Sequence, residues 1–236
     1  MDQVEIKKVM VFVYDRSKVK FTNLAGEIVL PKARLIDREK QFARTPFLVS
    51  FQSGWFKFNL CTVHLYYGAK TSTKLKRRIK EIKTITKFLA RRAKKDDVNY
   101  IVLGDFNIIG PKDETMDALL TNGFFIPDSI WDVSAAPFSC NHYDQIAFKS
   151  EEGKVKFGDN GGIFNYYKSV FRDDEVEFYI KKYKKDFDKH VNQQDDDRKK
   201  RYYLTKWRTW QMSDHIPLWI ELEIDFTEEY LESLKS

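Results

Sequence analysis

The chain has 236 residues, 42% of them hydrophobic, 15% aromatic and 32% charged, with a formal net charge of +6. So much bulky apolar side chain excludes disorder as the main state, and 10 Gly with 2 Cys exclude collagen-like and disulfide-stapled chains. One large domain over residues 1–236 is expected.

In chain order, Met1 to Glu5 shows no secretory signal, and Lys8 to Tyr14 is an apolar, β-rich run. Pro46 to Phe51 and Trp55 to His64 are two further strands, joined by a hairpin turn at Gln52-Ser53-Gly54. From Lys70 to Lys95 there are twelve basic residues against one acid, Glu81, while Leu75, Ile79, Ile82, Ile85 and Leu89 recur every three or four positions. That spacing predicts an amphipathic helix with a basic outer face. Such a face is either simply solvated or a surface that attracts phosphate. Tyr100 to Leu103 is a short buried strand closed by Gly104, and Thr115 to Leu120 a helical turn ending near Asn122-Gly123. Tyr143 to Phe148 and Leu218 to Ile224 are the last strands.

Between these two, Asn160-Gly161-Gly162 signals a loop, and Val176, Tyr179, Ile180, Tyr183 and Phe187 predict a helix through Lys189. The charge block Asp195 to Arg201 reads as a mobile surface loop. About 154–201 reads as an insertion too small for a core of its own. No apolar stretch is long enough to span a membrane. Cys61 and Cys140, without a CxxC spacing, read as free thiols, so a cytoplasmic protein is expected. Strands interleaved with helices predict an α/β architecture.

Four segments deliver polar groups at the end of a strand-like run: Phe58 to His64, Ile101 to Asn107, His142 to Ile146 and Met212 to Leu218. Strand ends along one sheet edge are where α/β proteins assemble sites. Each is weak alone. Asp105 could be a helix N-cap, and His64, His142 and His190 could be ordinary core or surface side chains. Together, and in this order, they resemble the endonuclease/exonuclease/phosphatase superfamily, which includes pancreatic deoxyribonuclease and exonuclease III. The resemblance rests on a strand-end His, then Gly104-Asp105-Phe106-Asn107, then Tyr143-Asp144-Gln145-Ile146, then Ser213-Asp214-His215-Ile216-Pro217.

The resemblance implies a layered α/β sandwich with mixed sheets and a divalent-metal-dependent phosphoesterase. Its motifs are shared across substrates, and the basic helix tilts the expectation to nucleic acid, foremost DNA, and so to a nuclease. Asp144 matches the carboxylate that orients His215, itself a general base or phosphate contact. Asp105 and Asn107 match the pair that positions the nucleophile or a metal-bound water. Asp214 matches a ligand of Mg²⁺ or Mn²⁺, with Asp105 and Asn107 completing the metal set. His64 matches a second phosphate contact. Arg44 stands where several members carry a phosphate-binding Arg, though it reads equally as a surface charge. The family also carries an N-terminal strand and a Gln-Glu metal ligand upstream of the segment that Lys8 to Tyr14 resembles. Neither is seen here, so missing N-terminal strands, a weakly bound metal and an open sheet edge are expected. A second chain or a homodimer would cover such an edge. Alternatives are a catalytically silent or split half-domain that binds nucleic acid or a partner, and a phosphoesterase acting on a phospholipid or inositol phosphate.

Overall fold

The computed structural model describes residues 10–67, 72–96, 98–136, 138–139, 141–150, 155–191, 195–225 and 231. Gly54 and Trp55 make the hairpin turn between β2 (Phe47–Ser53) and β3 (Phe56–His64), with Gly54 at φ +54°, a left-handed conformation that glycine adopts without strain. Five strands form one mixed sheet in the order β1-β2-β3-β4-β5, where β1 is Lys20–Glu27, β4 Asn99–Asp105 and β5 Asp144–Lys149. β3 and β4 are parallel and the other neighbours antiparallel. A parallel pair needs a long crossover, and α1 (Ser72–Asp96) supplies it.

Side chains alternate across a sheet, so the register divides these strands into two faces. Leu48, Cys61, Val102 and Ala147 lie in one row, with Tyr100 on the same face. α1 covers that face. Ile82, Ile85 and Leu89, all fully buried, join those residues in one core, and the Tyr100 hydroxyl donates to Asp96 at the helix end over 2.8 Å. Burying each of the three is worth about 2 kcal/mol. The opposite face carries Val49, Leu60, Ile101 and Phe148. A second, two-stranded antiparallel sheet of β6 (Lys156–Ile163) and β7 (Leu218–Glu223) meets it, the rings of Phe148 and Phe157 lying 4.7 Å apart. The result is the expected layered α/β architecture, with mixed strands and no closed barrel.

Several local expectations are corrected. Lys8 and Val9 lie outside the described residues, and Met10 to Tyr14 form no strand. Phe12 and Tyr14 instead lay their rings against Phe51, at 6.1 and 5.2 Å. β1, unforeseen, is an exposed edge strand with a register shift, and its polar sequence hides it. Asn160-Gly161-Gly162 is not a loop but part of β6, where a bulge leaves Gly161 against Ile130. A Cβ there would come within 2.6 Å of the Ile130 side chain. The helix expected through Lys189 breaks at Tyr183 into α4 (Val176–Lys182) and α5 (Lys184–His190).

The charge block is not a loop either. It is α6 (Asp196–Tyr202), capped by the Asp195 side chain, which accepts from the Arg198 N–H at 2.9 Å. Acids in the first turn and bases in the last complement the helix dipole, which is why this composition winds up. A π turn (Tyr203–Trp207) and α7 (Arg208–Gln211) follow. Phe187, Tyr203 and Trp207 are buried together with Phe171, Val176 and Tyr179 around them, so this stretch has an aromatic cluster of its own. Two short helices, α2 (Glu114–Leu120) and α3 (Asp128–Trp131), connect β4 to β5. Cys61 is a buried free thiol, and Cys140 lies outside the described residues. Among the described residues no helix is long and apolar enough to cross a membrane.

Candidate active site

The ends of β3, β4 and β5 are in register: His64 lies opposite Asp105, and Asp105 opposite Asp144. Three polar side chains, 41 and 39 residues apart in sequence, therefore share one row on the face turned away from α1. His64 Nε2 lies 3.5 Å from an Asp105 carboxylate oxygen. The fourth member comes from the other sheet. His215, three residues before β7, reaches across so that its Nδ1 lies 2.5 Å from the Asp144 carboxylate. Its approach is fixed by the backbone: the His215 N–H donates to the Ser213 hydroxyl, and the Tyr166 and Tyr167 hydroxyls donate to the Ser213 carbonyl, each over 2.9 Å.

The charges follow from these contacts. The hydrogen bond to Asp144 pushes the His215 imidazole up to about 9, against the opposing effect of burial. Asp105 is pushed up to about 6, first by burial and then by the neighbouring Asp144 charge. The Asn107 N–H, donating to Asp105 over 2.8 Å, works against that rise, as do His215 and Arg44. A carboxyl poised near neutrality beside an imidazolium is a pairing suited to proton transfer.

Two residues hold the loops of this site from beneath, and both were hidden in the basic helix. Arg78, only 3% exposed, donates to the Asn107 carbonyl over 2.6 Å and to the Tyr66 carbonyl over 3.2 Å. Burial pulls its guanidinium below the ordinary value, with the Asp105 charge opposing. Glu81, fully buried, accepts from the Ala43 and Tyr66 N–H groups and from Arg77. The basic face is thus interrupted where α1 meets the loops after β3 and β4. A lone acid among twelve bases, three residues from an Arg, was the available signal. The exposed lysines of α1 sit on the far side of the sheet from the His64–Asp105–Asp144 row, so they do not line the site. Arg78→Met is expected to cost about 3 kcal/mol, because it strands the buried Asn107 carbonyl and the half-buried Tyr66 carbonyl. Urea denaturation reads this directly, and a change under about 0.5 kcal/mol would remove Arg78 from this bracing role.

The other expected residues divide. Arg44 is half-buried and donates to the Leu65 carbonyl at 3.4 Å, close enough to bias Asp105. Asn107, at φ +55° and 3% exposed, turns its amide onto the Leu65 carbonyl and braces the loop. Asp214 is exposed beside His215. His142 is buried, and His190 stacks on Tyr202 in the helical region. Among the described residues no group of three His, Cys, Asp or Glu is placed to hold a metal ion. Asp105 and Asp214, the two carboxylates expected to take part in such a site, each act on His215, Asp105 from the sheet row and Asp214 from the adjoining residue.

No family model matches the sequence, and no curated protein does. Solved structures do. An endonuclease/exonuclease/phosphatase from Bacteroides vulgatus is 13% identical, with 90% of this chain and 69% of that one covered, at a TM-score of 0.48. The chain is similar to proteins of that family. A mannosyl-6-phosphatase from Bacteroides thetaiotaomicron is 14% identical, with 64% of this chain and 59% of that one covered, at a TM-score of 0.46. TDP2 of D. rerio, in complex with a single strand DNA product, is 17% identical, with 63% and 61% covered, at a TM-score of 0.46. This chain thus spans about three fifths of the length of the last two.

Proposed function

We propose that this chain is a phosphoesterase of the endonuclease/exonuclease/phosphatase type, with a phosphodiester of nucleic acid as its substrate. What supports the reading is one contact: Asp144 and His215, 71 residues apart, meet at 2.5 Å beside the His64–Asp105 pair. A carboxylate–imidazole pair next to a carboxyl poised near 6 is what phosphate ester hydrolysis asks of a protein. Asp105 accepts the proton of the attacking water as its oxygen bonds to phosphorus, and the P–O ester bond breaks to release an alkoxide that takes a proton from solvent. His215, held protonated by Asp144, donates to a phosphoryl oxygen and offsets the charge that develops there. His64, at the opposite end of the row, faces the leaving group, and Arg44 adds positive charge at the rim. Mg²⁺ or Mn²⁺, with Asp214 as its protein ligand, would add charge neutralisation at the phosphate.

The test is cleavage of an end-labelled DNA strand with Mg²⁺. Turnover is expected to be present, to disappear with EDTA and to be lost in His215→Ala. Cleavage that persists in that variant would overturn the assignment, and cleavage indifferent to EDTA would remove the metal. A second reading is a chain that holds nucleic acid without cutting it, or cuts it only when a second chain adds strands. The open edges of the two-stranded sheet among the described residues favour it. Salt-sensitive DNA binding without turnover, together with a dimer or larger mass under native conditions, would select it.

A further inference from the structure

Beside His215 the surface opens into a pocket of about 330 Å³, most of whose lining has no part in the proposed hydrolysis. It has two walls of different origin. One comes from the helical stretch, with Lys206 of the π turn and Trp210 of α7; the other comes from the chain leading into β5, with Phe138 and Tyr143. Asp214 and His215 close it toward the site row. Trp210 is 82% exposed, an expensive position for the largest apolar side chain unless something covers its ring.

The walls are not loosely placed. Arg208, two residues before Trp210, is buried, with its guanidinium 5.2 Å from the Phe138 ring and 4.2 Å from the Tyr167 ring. It also donates to Asp173 and to the Phe171 carbonyl. One side chain therefore sets the helical wall against the other wall. Tyr167, under the same guanidinium, holds the Ser213 carbonyl next to Asp214. The Tyr143 ring lies 6.1 Å from the His215 ring, so the aromatic lining continues up to the catalytic imidazole.

We infer that this pocket is a subsite for a nucleobase, stacked on Trp210 and belonging to the nucleotide next to the scissile phosphate. The proposal rests on the phosphodiester reading above and adds to it the surface that would hold the base of the substrate. A volume of this size, with aromatic faces, takes a flat ring, and Lys206 supplies a donor for in-plane base acceptors. An acyl chain has no use for Lys206. Stacking a base on an aromatic side chain tolerates any sequence, so the subsite selects nucleic acid rather than a particular base.

The experiment is fluorescence anisotropy with the full chain in EDTA, so that no turnover is needed. The probes are a labelled single-stranded DNA decamer and the same backbone built from abasic residues. The wild-type chain is expected to bind the base-bearing strand about tenfold more tightly than the abasic one. Trp210→Ala closes that gap, Trp210→Phe keeps most of it, and all three hold the abasic strand alike. Since Trp210 is exposed, circular dichroism of the Ala variant should match the wild type. Equal binding of the two strands by wild type, a gap that survives in Trp210→Ala, or no measurable binding of either strand overturns the subsite. A Trp210-dependent gap in a protein that fails to cleave with Mg²⁺ upholds the subsite and sinks the hydrolytic reading instead.

Discussion

Gly104→Ala is expected to destabilise the fold by more than about 3 kcal/mol and to lower the thermal midpoint by about 10 °C. Gly104 sits at φ +128°, where an L side chain is strained whatever the space. There is no space either: a Cβ there would stand 2.1 Å from the Val63 carbonyl oxygen, far inside any real contact. That carbonyl belongs to the neighbouring strand, so neither partner can swing aside without parting β3 from β4. The same closeness sets His64 against Asp105 one residue later, and the substitution should cost the site as well as the fold. Gly26→Ala is the control. Gly26 lies in β1, a Cβ there would meet nothing within 4 Å, and a change under about 1 kcal/mol is expected. Equal midpoints for the two variants, read by thermal denaturation, would show that the close approach at Gly104 carries no strain.

The middle of the chain announces itself because its elements obey single-period rules. The three- and four-residue recurrence of Ile79, Ile82, Ile85 and Leu89 became α1, and the runs ending at His64 and Leu103 became β3 and β4. Where the reading failed, a second constraint outweighed the local pattern. Phe12 and Tyr14 have strand-like neighbours, yet their segment forms no strand and lays both rings against Phe51. Gly161 looks like a turn residue but is a glycine because Ile130 presses on it from α3. Asp195 to Arg201 suggests a loop by its charge alone, although acids first and bases last are a helix order.

The site residues divide in the same way. Strand-end motifs marked His64, Asp105, Asp144 and His215, and register brings the first three into one row. The chain alone could not show that Asn107 would turn inward, or that Arg78 would leave the solvated face of its helix. Both depend on where the Leu65 and Tyr66 carbonyls arrive, which is a matter of how separate strands dock. Trp210 stands three residues after Trp207, a spacing that does not tell a core ring from a site wall; its value comes from Arg208 and Phe138 holding a wall opposite it.

Asp144→Asn and His215→Ala are each expected to slow hydrolysis by a thousandfold or more, on the scale set by other carboxylate–imidazole pairs. An Asn in place of Asp144 keeps the shape but removes the charge that holds the proton on His215. In an NMR titration the His215 ring should change state near 9 in the wild type and fall back toward 6.5 in Asp144→Asn. The sign for stability follows from a folded value raised above the unfolded one. The contribution of His215 is fully present below about 6.5, and is lost as pH rises through about 9. Asp144→Asn should flatten that part of the stability profile. Because the two residues act as one unit, the double variant should be no slower than His215→Ala alone. Losses that multiply would mean that each works separately, with the 2.5 Å contact no more than a structural tie between the two sheets.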